Sequence, residues 1–144
     1  MATTGLKAYT VTGTTVLSTE LNSLGNGSLC SASSVFDNSS NLAIWADFEL
    51  VVATQGGARS AGATVSVFMS VAPDGTNYSD VVAEGEPVAV FALDAATTAR
   101  RHFRRGFELP PLATIKFYAL NSTGQALAAS GNTVKIWTRN LTTA

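Results

Sequence analysis

Two alternating apolar rows, separated by a glycine-rich break, constrain the fold of this chain more than any other feature. Within residues 43–72, apolar side chains fall at every second position on either side of the break, which is the period of a half-buried β-strand. The two rows consist of Ile44, Ala46, Phe48, Leu50 and Val52, and of Val65, Val67, Met69 and Val71. Two apolar sheet faces need a second apolar layer to cover them, and later segments supply it. The sequence therefore predicts an all-β protein built as a single antiparallel β-sandwich.

The remaining strand-like segments bring the expected number of strands to about eight, which at this spacing is typical of a jelly roll or a related sandwich. These further segments are residues 14–24, 28–34, 87–93, 94–109, 114–121 and 133–140. Residues 87–93 are almost entirely apolar, so we expect that strand at a central position in its sheet, covered on both sides.

The N-terminal residues 1–12 differ from the rest of the chain. They are small and polar, with isolated apolar side chains at Leu6, Tyr9 and Val11. This pattern predicts an extended N-terminal arm of residues 1–12, followed by a sandwich domain of residues 13–144. A free arm is usually disordered, but Leu6, Tyr9 and Val11 are candidates for anchoring it to a neighbouring subunit.

Composition limits the classes of partner. The chain has 144 residues, enough for one domain with its own core. Its net charge of -1 provides no long-range field to attract nucleic acid or an anionic membrane. There is no secretory signal pattern, and no apolar run approaches the ~18 residues that cross a bilayer. We therefore expect a soluble protein, made in a cytoplasm, without nucleic acid or membrane as a partner.

The small share of charged residues has two interpretations. Only 13% of the residues are charged, against about a quarter in a typical domain. The surface is therefore expected to be rich in Ser, Thr, Asn and Gly. Such a surface suits a protein that sits within an assembly, and equally an extracellular-type β domain.

No pattern of residues points to catalysis or to a cofactor. His102 is the only histidine, and the arginines beside it disfavour its protonation, which makes it a poor general acid. The sequence has no GxSxG elbow, phosphate-binding loop or Cys/His metal spacing. Asp47 and Glu49 share one strand face, but a solvated or interface-facing sheet surface explains this pair better than acid–base chemistry. We expect no enzyme, no metal and no cofactor.

Two further polar features also have structural explanations. Asp74, Asn77 and Asp80 have a faint resemblance to calcium-loop spacing, but the turn sequence PDGTNYSD accounts for them better. The lone Cys30 is expected to act as a small buried hydrophobe and not as a reactive thiol.

A basic cluster in residues 94–109 is the main anomaly of charge. Its members are Arg100, Arg101, Arg104 and Arg105. In a regular strand, Arg101 and Arg105 would share a face with Phe103, Phe107 and Leu109, and burying two guanidinium groups without acidic partners is costly. This strand is therefore expected to lie at an edge, to bend at Gly106, or to present its arginines to another protein. Arginines beside an aromatic ring can also hold phosphates, but carboxylates at a protein interface fit the edge position better.

Several stretches of the chain resemble a group of small virion proteins of tailed bacteriophages. The stretches are LNSLGNGSLCSAS, DNSSNLAIWADFELVVA, SVAPDGTNYSD, RRGFELPPLATIKFYALN and GQALAASGNTVKI. Together they extend over nearly the whole chain after the arm. The chain is similar, on this basis, to the capsid decoration (cement) proteins of β-sandwich fold.

The resemblance implies a role in the virus particle. Decoration proteins bind the outside of the mature icosahedral head, commonly as homotrimers at local three-fold positions, and bridge subunits of the major capsid protein. On this hypothesis the protein is located on the capsid exterior of the virion after synthesis in the host cytoplasm. The four arginines would bind acidic groups of the capsid or of a sister subunit, and the arm would reach a neighbour through Leu6 and Tyr9.

A tail or fibre component with a carbohydrate-binding sandwich is the alternative. Such a protein would use exposed aromatic rings as stacking platforms for sugars. The candidate platforms are Trp45, Tyr78 and Trp137.

Overall fold

The protein folds into two antiparallel sheets of four strands each. The computed structural model describes residues 6–40, 42–81 and 86–143, without the side chains of residues 6–10 and 140–143. Its strands are β1 Leu6–Leu17, β2 Phe36–Asp37, β3 Trp45–Val52, β4 Thr64–Ala72, β5 Ala89–Ala92, β6 Arg100–Glu108, β7 Thr114–Ser122 and β8 Thr133–Thr143, with a short 3₁₀ helix at Thr19–Leu21. The predicted all-β sandwich with about eight strands is confirmed.

The strand order identifies the type of sandwich. Sheet A has the order β1-β8-β3-β6, and sheet B has the order β2-β7-β4-β5. The first four strands thus pair in turn with the last four, β1 with β8, β2 with β7, β3 with β6 and β4 with β5, all antiparallel. This is the connectivity of an antiparallel ribbon folded over on itself, which is a jelly roll.

The core lies between the sheets and is formed by the predicted apolar rows. On β3, Phe48 and Leu50 are buried, and on β7 the alternating Ile115, Phe117 and Ala119 are buried completely. The rings of Phe48 and Phe117 meet nearly edge to face across the two sheets, with 5.8 Å between their centroids. Burial of a large apolar side chain contributes about 1.5–3 kcal/mol, so these rows account for much of the stability of the sandwich.

Strand β4 is covered on both faces. Val65 and Val67 point into the core as predicted, yet Phe68 and Ser70 on the opposite face are also buried. The chain after β4 folds back over that face, where the hydroxyl of Ser70 donates to the carbonyl of Ser79. The second predicted row is therefore correct, but it is not the only buried row of its strand.

The N-terminal segment differs from the free arm expected from the sequence. β1 begins at Leu6, so residues 6–12 belong to a strand of sheet A. Residues 6–10 pair with the end of β8, beyond Trp45, where the pairing of β8 with β3 begins. The segment is extended, but as one strand of a two-stranded ribbon, because the end of β8 satisfies its backbone hydrogen bonds. Residues 1–5 lie outside the described part of the chain.

The segment 28–34, predicted as a strand, follows β7 without forming a regular ladder. The N–H of Ala119 donates to Sγ of Cys30 at 3.0 Å, and the N–H of Phe117 donates to Oγ of Ser33 at 2.9 Å. Side-chain atoms thus occupy positions that backbone carbonyls hold in a regular ladder. Cys30 is buried as predicted, and its burial raises the pKa of the thiol, which suits a structural role.

The predicted central position of the strand within 87–93 is wrong. β5 lies at the edge of sheet B. Its inward-facing Phe91 is buried, and the edge is partly closed from the other sheet, because Nε of Arg104 donates to the carbonyl of Val90 at 2.8 Å. An apolar run can therefore mark an edge strand that another part of the chain protects.

Candidate functional site

The basic strand β6 lies at the edge of sheet A and is irregular at Gly106; an edge position and a bend at Gly106 were two of the alternatives that the sequence left open. Ala46 pairs with Phe107 and Phe48 pairs with Arg104, so β6 carries one extra residue opposite Asp47. This arrangement is a β-bulge. Gly106 has a φ of 78°, in the left-handed region that favours glycine. Its N–H donates to Oδ1 of Asp47 at 3.1 Å, which fixes the bulge to β3.

The bulge reverses the alternation of side chains along β6. After it, Phe107 faces inward and its ring packs on Phe48 at 5.2 Å between centroids. Before it, Arg101 and Phe103 pair with β3 residues of the outer row and share their face. The prediction that Arg101, Phe103, Arg105, Phe107 and Leu109 share one face is therefore wrong, because the extra residue moves Phe107 and Leu109 to the core side.

The four arginines of the basic cluster do not form a single patch. Nε of Arg100 donates to Oδ2 of Asp94 at 2.9 Å, and Arg104 is bound to the carbonyl of Val90 on the other sheet. Both side chains are thus engaged within the chain, Arg100 with the loop before β6 and Arg104 with the other sheet. Arg101 and Arg105 belong to the outer face of sheet A, so only half of the predicted cluster reaches a common surface.

The outer face of sheet A combines exposed apolar and charged side chains. It includes Val11 from β1, Trp45, Asp47 and Glu49 from β3, Arg101, Phe103, Arg105 and Glu108 from β6, and Lys135, Trp137 and Arg139 from β8. Phe103 is 55% exposed, Val11 54% and Trp45 42%. Contiguous exposed apolar side chains bordered by polar ones are typical of interaction sites. This face is the candidate functional site.

Two carboxylates of the outer face, those of Asp47 and Glu49, are neutralised within the chain, whereas Glu108, opposite Trp45, is exposed. Glu49 accepts a hydrogen bond from Nε1 of Trp137 at 2.8 Å and forms an ion pair with Arg101 at 2.8 Å. Asp47 forms an ion pair with Arg139. Burial favours a higher pKa for Glu49, but the hydrogen bonds from Arg101 and Trp137 and the charges of Arg101 and Lys135 together lower it. Glu49 is buried and is therefore not solvated, and the prediction that this surface faces an interface stays a prediction.

The indole ring of Trp137 packs closely against β1 at Gly13, where no side chain is in its way. A Cβ atom at Gly13 would lie 2.7 Å from the indole ring. Nζ of Lys135 lies 5.2 Å from the ring centroid. The ring is thus covered by its neighbours, and the hydrogen bond of Trp137 to Glu49 ties β8 to β3.

Two shallow depressions of the outer face meet at Arg105. One, of about 350 Å³, is lined by Val11, Asp47, Phe103, Arg105 and Trp137. The other, of about 380 Å³, is lined by Trp45, Asp47, Arg105, Gly106 and Arg139. Arg105 therefore lies between the exposed aromatic side chains Phe103 and Trp45.

The other predicted site residues are not brought to this surface together. Leu6 and Tyr9 lie in the terminal ribbon, and their side chains are outside the described part of the structure. Tyr78 lies against sheet B, where its hydroxyl donates a hydrogen bond to Oγ1 of Thr114 at 3.0 Å. Nζ of Lys116 lies 4.2 Å from the centroid of its ring.

The residues with calcium-like spacing have a structural explanation. Asp74 accepts hydrogen bonds from the backbone of Asn77 and Thr76, which lower its pKa to about 2, so turn chemistry explains the calcium-like spacing. Within residues 6–40, 42–81 and 86–143 no three His, Cys, Asp or Glu side chains are grouped as metal ligands. No helix in the same ranges has the length and hydropathy needed to cross a bilayer.

Gly13 is a member of the site that the sequence did not indicate, and Val11 was expected on an arm that anchors to a neighbour and not on this face. Both lie in β1, which pairs with the last strand of the chain, and Gly13 faces Trp137 directly. A local sequence pattern carries no signal for a pairing between the two ends of a chain. The glycine within the β-branched run TVTGTT was the available clue, because glycine inside a strand often marks a close approach.

Comparison with known proteins yields a weak structural likeness. No protein-family model and no curated protein matches the chain. A chain in a structure of the Gx strain of infectious bursal disease virus is similar, with 15% sequence identity and a TM-score of 0.33, over 93% of this chain and 33% of that chain. The protein thus spans about a third of the length of the viral chain that it matches. A likeness this weak carries no information about function.

Proposed function

We propose that the protein is a structural component of a virion, and specifically a capsid decoration protein that docks onto the mature head through the outer face of sheet A. The observation that carries this proposal is the exposure of Phe103, Val11 and Trp45 on a face where the carboxylates of Asp47 and Glu49 are already paired. Exposed aromatic rings beside arginine are typical of the centres of protein interfaces. The sequence resemblance to decoration proteins supports the choice of partner.

The fold is compatible with this role but does not decide it. Jelly rolls occur in viral capsid proteins, in lectins and in cupins, and a fold of this kind hosts unrelated functions. The proposed function is therefore based on the outer face of sheet A and on the sequence resemblance to decoration proteins. We propose further that the protein acts by binding alone, without catalysis or a cofactor.

The mechanism would be stabilisation by mass action. A protein that binds the mature shell and not its precursor lowers the free energy of the mature state. Many copies, each bridging subunits of the major capsid protein, add their contributions. A homotrimer on the capsid exterior, as the resemblance implies, would present three outer faces to the shell at once.

Carbohydrate binding by a tail or fibre component receives less support. Of the three aromatic side chains proposed as platforms, Trp137 is covered by Gly13 and Lys135, and Tyr78 is engaged on sheet B. Trp45 is the exposed one.

Co-sedimentation with virus heads tests the proposed function. The purified protein is mixed with mature heads that lack it, prepared from the phage that carries its gene. It is also mixed with precursor shells and applied to a glycan array. We expect saturable binding to mature heads, on the order of hundreds of copies per particle, and weaker binding to precursors. A handful of copies per particle would indicate a tail component, and binding to glycans without binding to heads would contradict the proposal.

A further inference from the structure

We propose that Arg105 is the anchor of the outer face and that it binds a carboxylate of an acidic segment of the partner protein, with an apolar neighbour of that carboxylate packed on Phe103 or Trp45. This inference rests on the proposed docking function and specifies the chemistry of the partner. Of the four arginines in the basic cluster, Arg105 is then the one that is free to bind.

The charges of the outer face single out Arg105. Arg101 is paired with Glu49 and Arg139 with Asp47, and the ammonium group of Lys135 lies over the ring of Trp137. Among the described residues, Arg105 is the cation of this face that has neither an ion pair nor a ring contact. Its guanidinium group keeps five N–H donors for an external acceptor.

The backbone directs Arg105 to the outside. The bulge with left-handed Gly106 is fixed by the hydrogen bond from its N–H to Asp47. Bulges commonly redirect a side chain next to a functional site. Arg105 is exposed and lines both depressions, so a ligand in either one would contact it.

The hydrogen-bonding groups of the face favour an acidic partner. The carboxylates of Asp47 and Glu49 are occupied by arginine, the indole of Trp137 and a backbone N–H. The exposed carboxylate of Glu108 lies opposite Trp45 and lines neither depression. A partner carboxylate in either depression therefore meets the free guanidinium group of Arg105 beside exposed rings. Arginine–carboxylate pairs flanked by aromatic side chains are strong determinants of binding in protein interfaces.

Tryptophan fluorescence provides a direct test with the isolated protein. The chain has two tryptophans, and both belong to the outer face. The probe is an eight-residue peptide in which Glu alternates with Leu, compared with a peptide in which Lys replaces Glu. We expect a saturable change with the Glu peptide alone, weakened at least about tenfold by Arg105→Glu and less by Arg105→Lys. Equal responses to the two peptides, no response to either, or an unchanged response of Arg105→Glu would overturn the inference.

Binding to virus heads separates this inference from the proposed function. Lys116→Glu changes the charge by the same amount on sheet B and serves as the control, and thermal melts confirm that each variant folds. We expect Arg105→Glu to bind mature heads at least about 30-fold more weakly, the loss typical of a central interface residue, while Lys116→Glu binds normally. Heads that bind Arg105→Glu as well as wild type would overturn the inference and leave the function standing. If the wild type failed to bind heads but still bound the Glu peptide, the proposed function alone would be overturned.

Discussion

Arg59 connects loops at the end of the sandwich opposite the terminal ribbon. It is 2% exposed, and its guanidinium group donates to Oε1 of Gln55 at 2.9 Å, to Oδ1 of Asp94 at 2.8 Å and to the carbonyl of Thr98 at 3.0 Å. Asp94 also binds Arg100. A buried cation is stable only when its donors are satisfied in this way, so these contacts fix the loop that leads into β6.

The acid stability of the protein should depend on Asp94. Hydrogen bonds from Arg100 and Arg59 lower its pKa to about 2, below the ordinary value of about 3.9. Because the folded state favours the ionised carboxylate, the stabilisation is complete above the ordinary pKa and is lost as the pH falls through about 2. We expect Asp94→Asn to lower the melting temperature at pH 6, and expect the difference from wild type to shrink between pH 4 and pH 2. Thermal melts across this range check it, and a difference independent of pH would contradict it.

The contacts of Arg59 illustrate what a local pattern cannot predict. Asp94 lies 35 positions away in the sequence, and the segment QGGARSAG reads only as a glycine-rich turn. Asp74 shows the opposite case, because its partners lie within three positions and turn chemistry was predictable. At the scale of residues, the sequence reveals short-range capping and conceals ion pairs between loops.

At the scale of elements, the regular strands were predictable and the irregular ones were not. Alternation placed the buried rows of β3, β7 and β8 correctly, because each of these strands is paired on both sides. Alternation failed on β6, where one extra residue opposite Asp47 exchanges the two faces. The sequence indicated a bend at Gly106, but a bend and a bulge lead to different faces, and only the register of the neighbouring strand distinguishes them.

The conformation of Gly106 should be essential for β6. A Cβ atom there would meet nothing within 4 Å, yet the φ of 78° is strained for any other L residue. We expect Gly106→Val to cost about 1–2 kcal/mol in the free energy of unfolding and to weaken binding to heads, because Arg105 would no longer point to the depressions. Gly106→Asn should cost less, since Asn tolerates left-handed backbone.

Urea denaturation and head binding of these variants provide the measurements. Gly56→Ala is a suitable control, because a Cβ atom there is also unobstructed and no left-handed conformation is required. A Gly106→Val protein as stable as wild type would show that the bulge is absent in solution.

At the scale of the whole molecule, the jelly roll joins the two ends of the chain. Thr12 and Thr138 are in contact across β1 and β8, 126 positions apart, and the pairing of the first and last strands completes sheet A. The class of fold followed from the apolar rows, but the strand order could not, because every alternating strand fits several positions in a sandwich. Folds dominated by such distant pairings are expected to form slowly.

The terminal ribbon can be removed without removing the sandwich. Residues 6–10 pair with the end of β8 beyond β3, and the few backbone hydrogen bonds of a two-stranded ribbon contribute little net stability. We expect deletion of residues 1–10 to change the free energy of unfolding by less than about 1 kcal/mol. Deletion of residues 1–17 also removes the buried Val16 and Leu17, each contributing about 1.5–3 kcal/mol, and should prevent stable folding.

The shorter deletion also tests whether the ribbon reaches a neighbouring subunit. On the hypothesis that Leu6 and Tyr9 anchor it there, the protein without residues 1–10 should retain its melting temperature and bind mature heads more weakly. The double variant Leu6→Ser/Tyr9→Ser should reproduce the loss, since the ribbon backbone remains. Unchanged binding of both proteins would show that docking depends on the outer face of sheet A without the ribbon. Loss of binding in the deletion alone would assign the contact to the backbone of the ribbon.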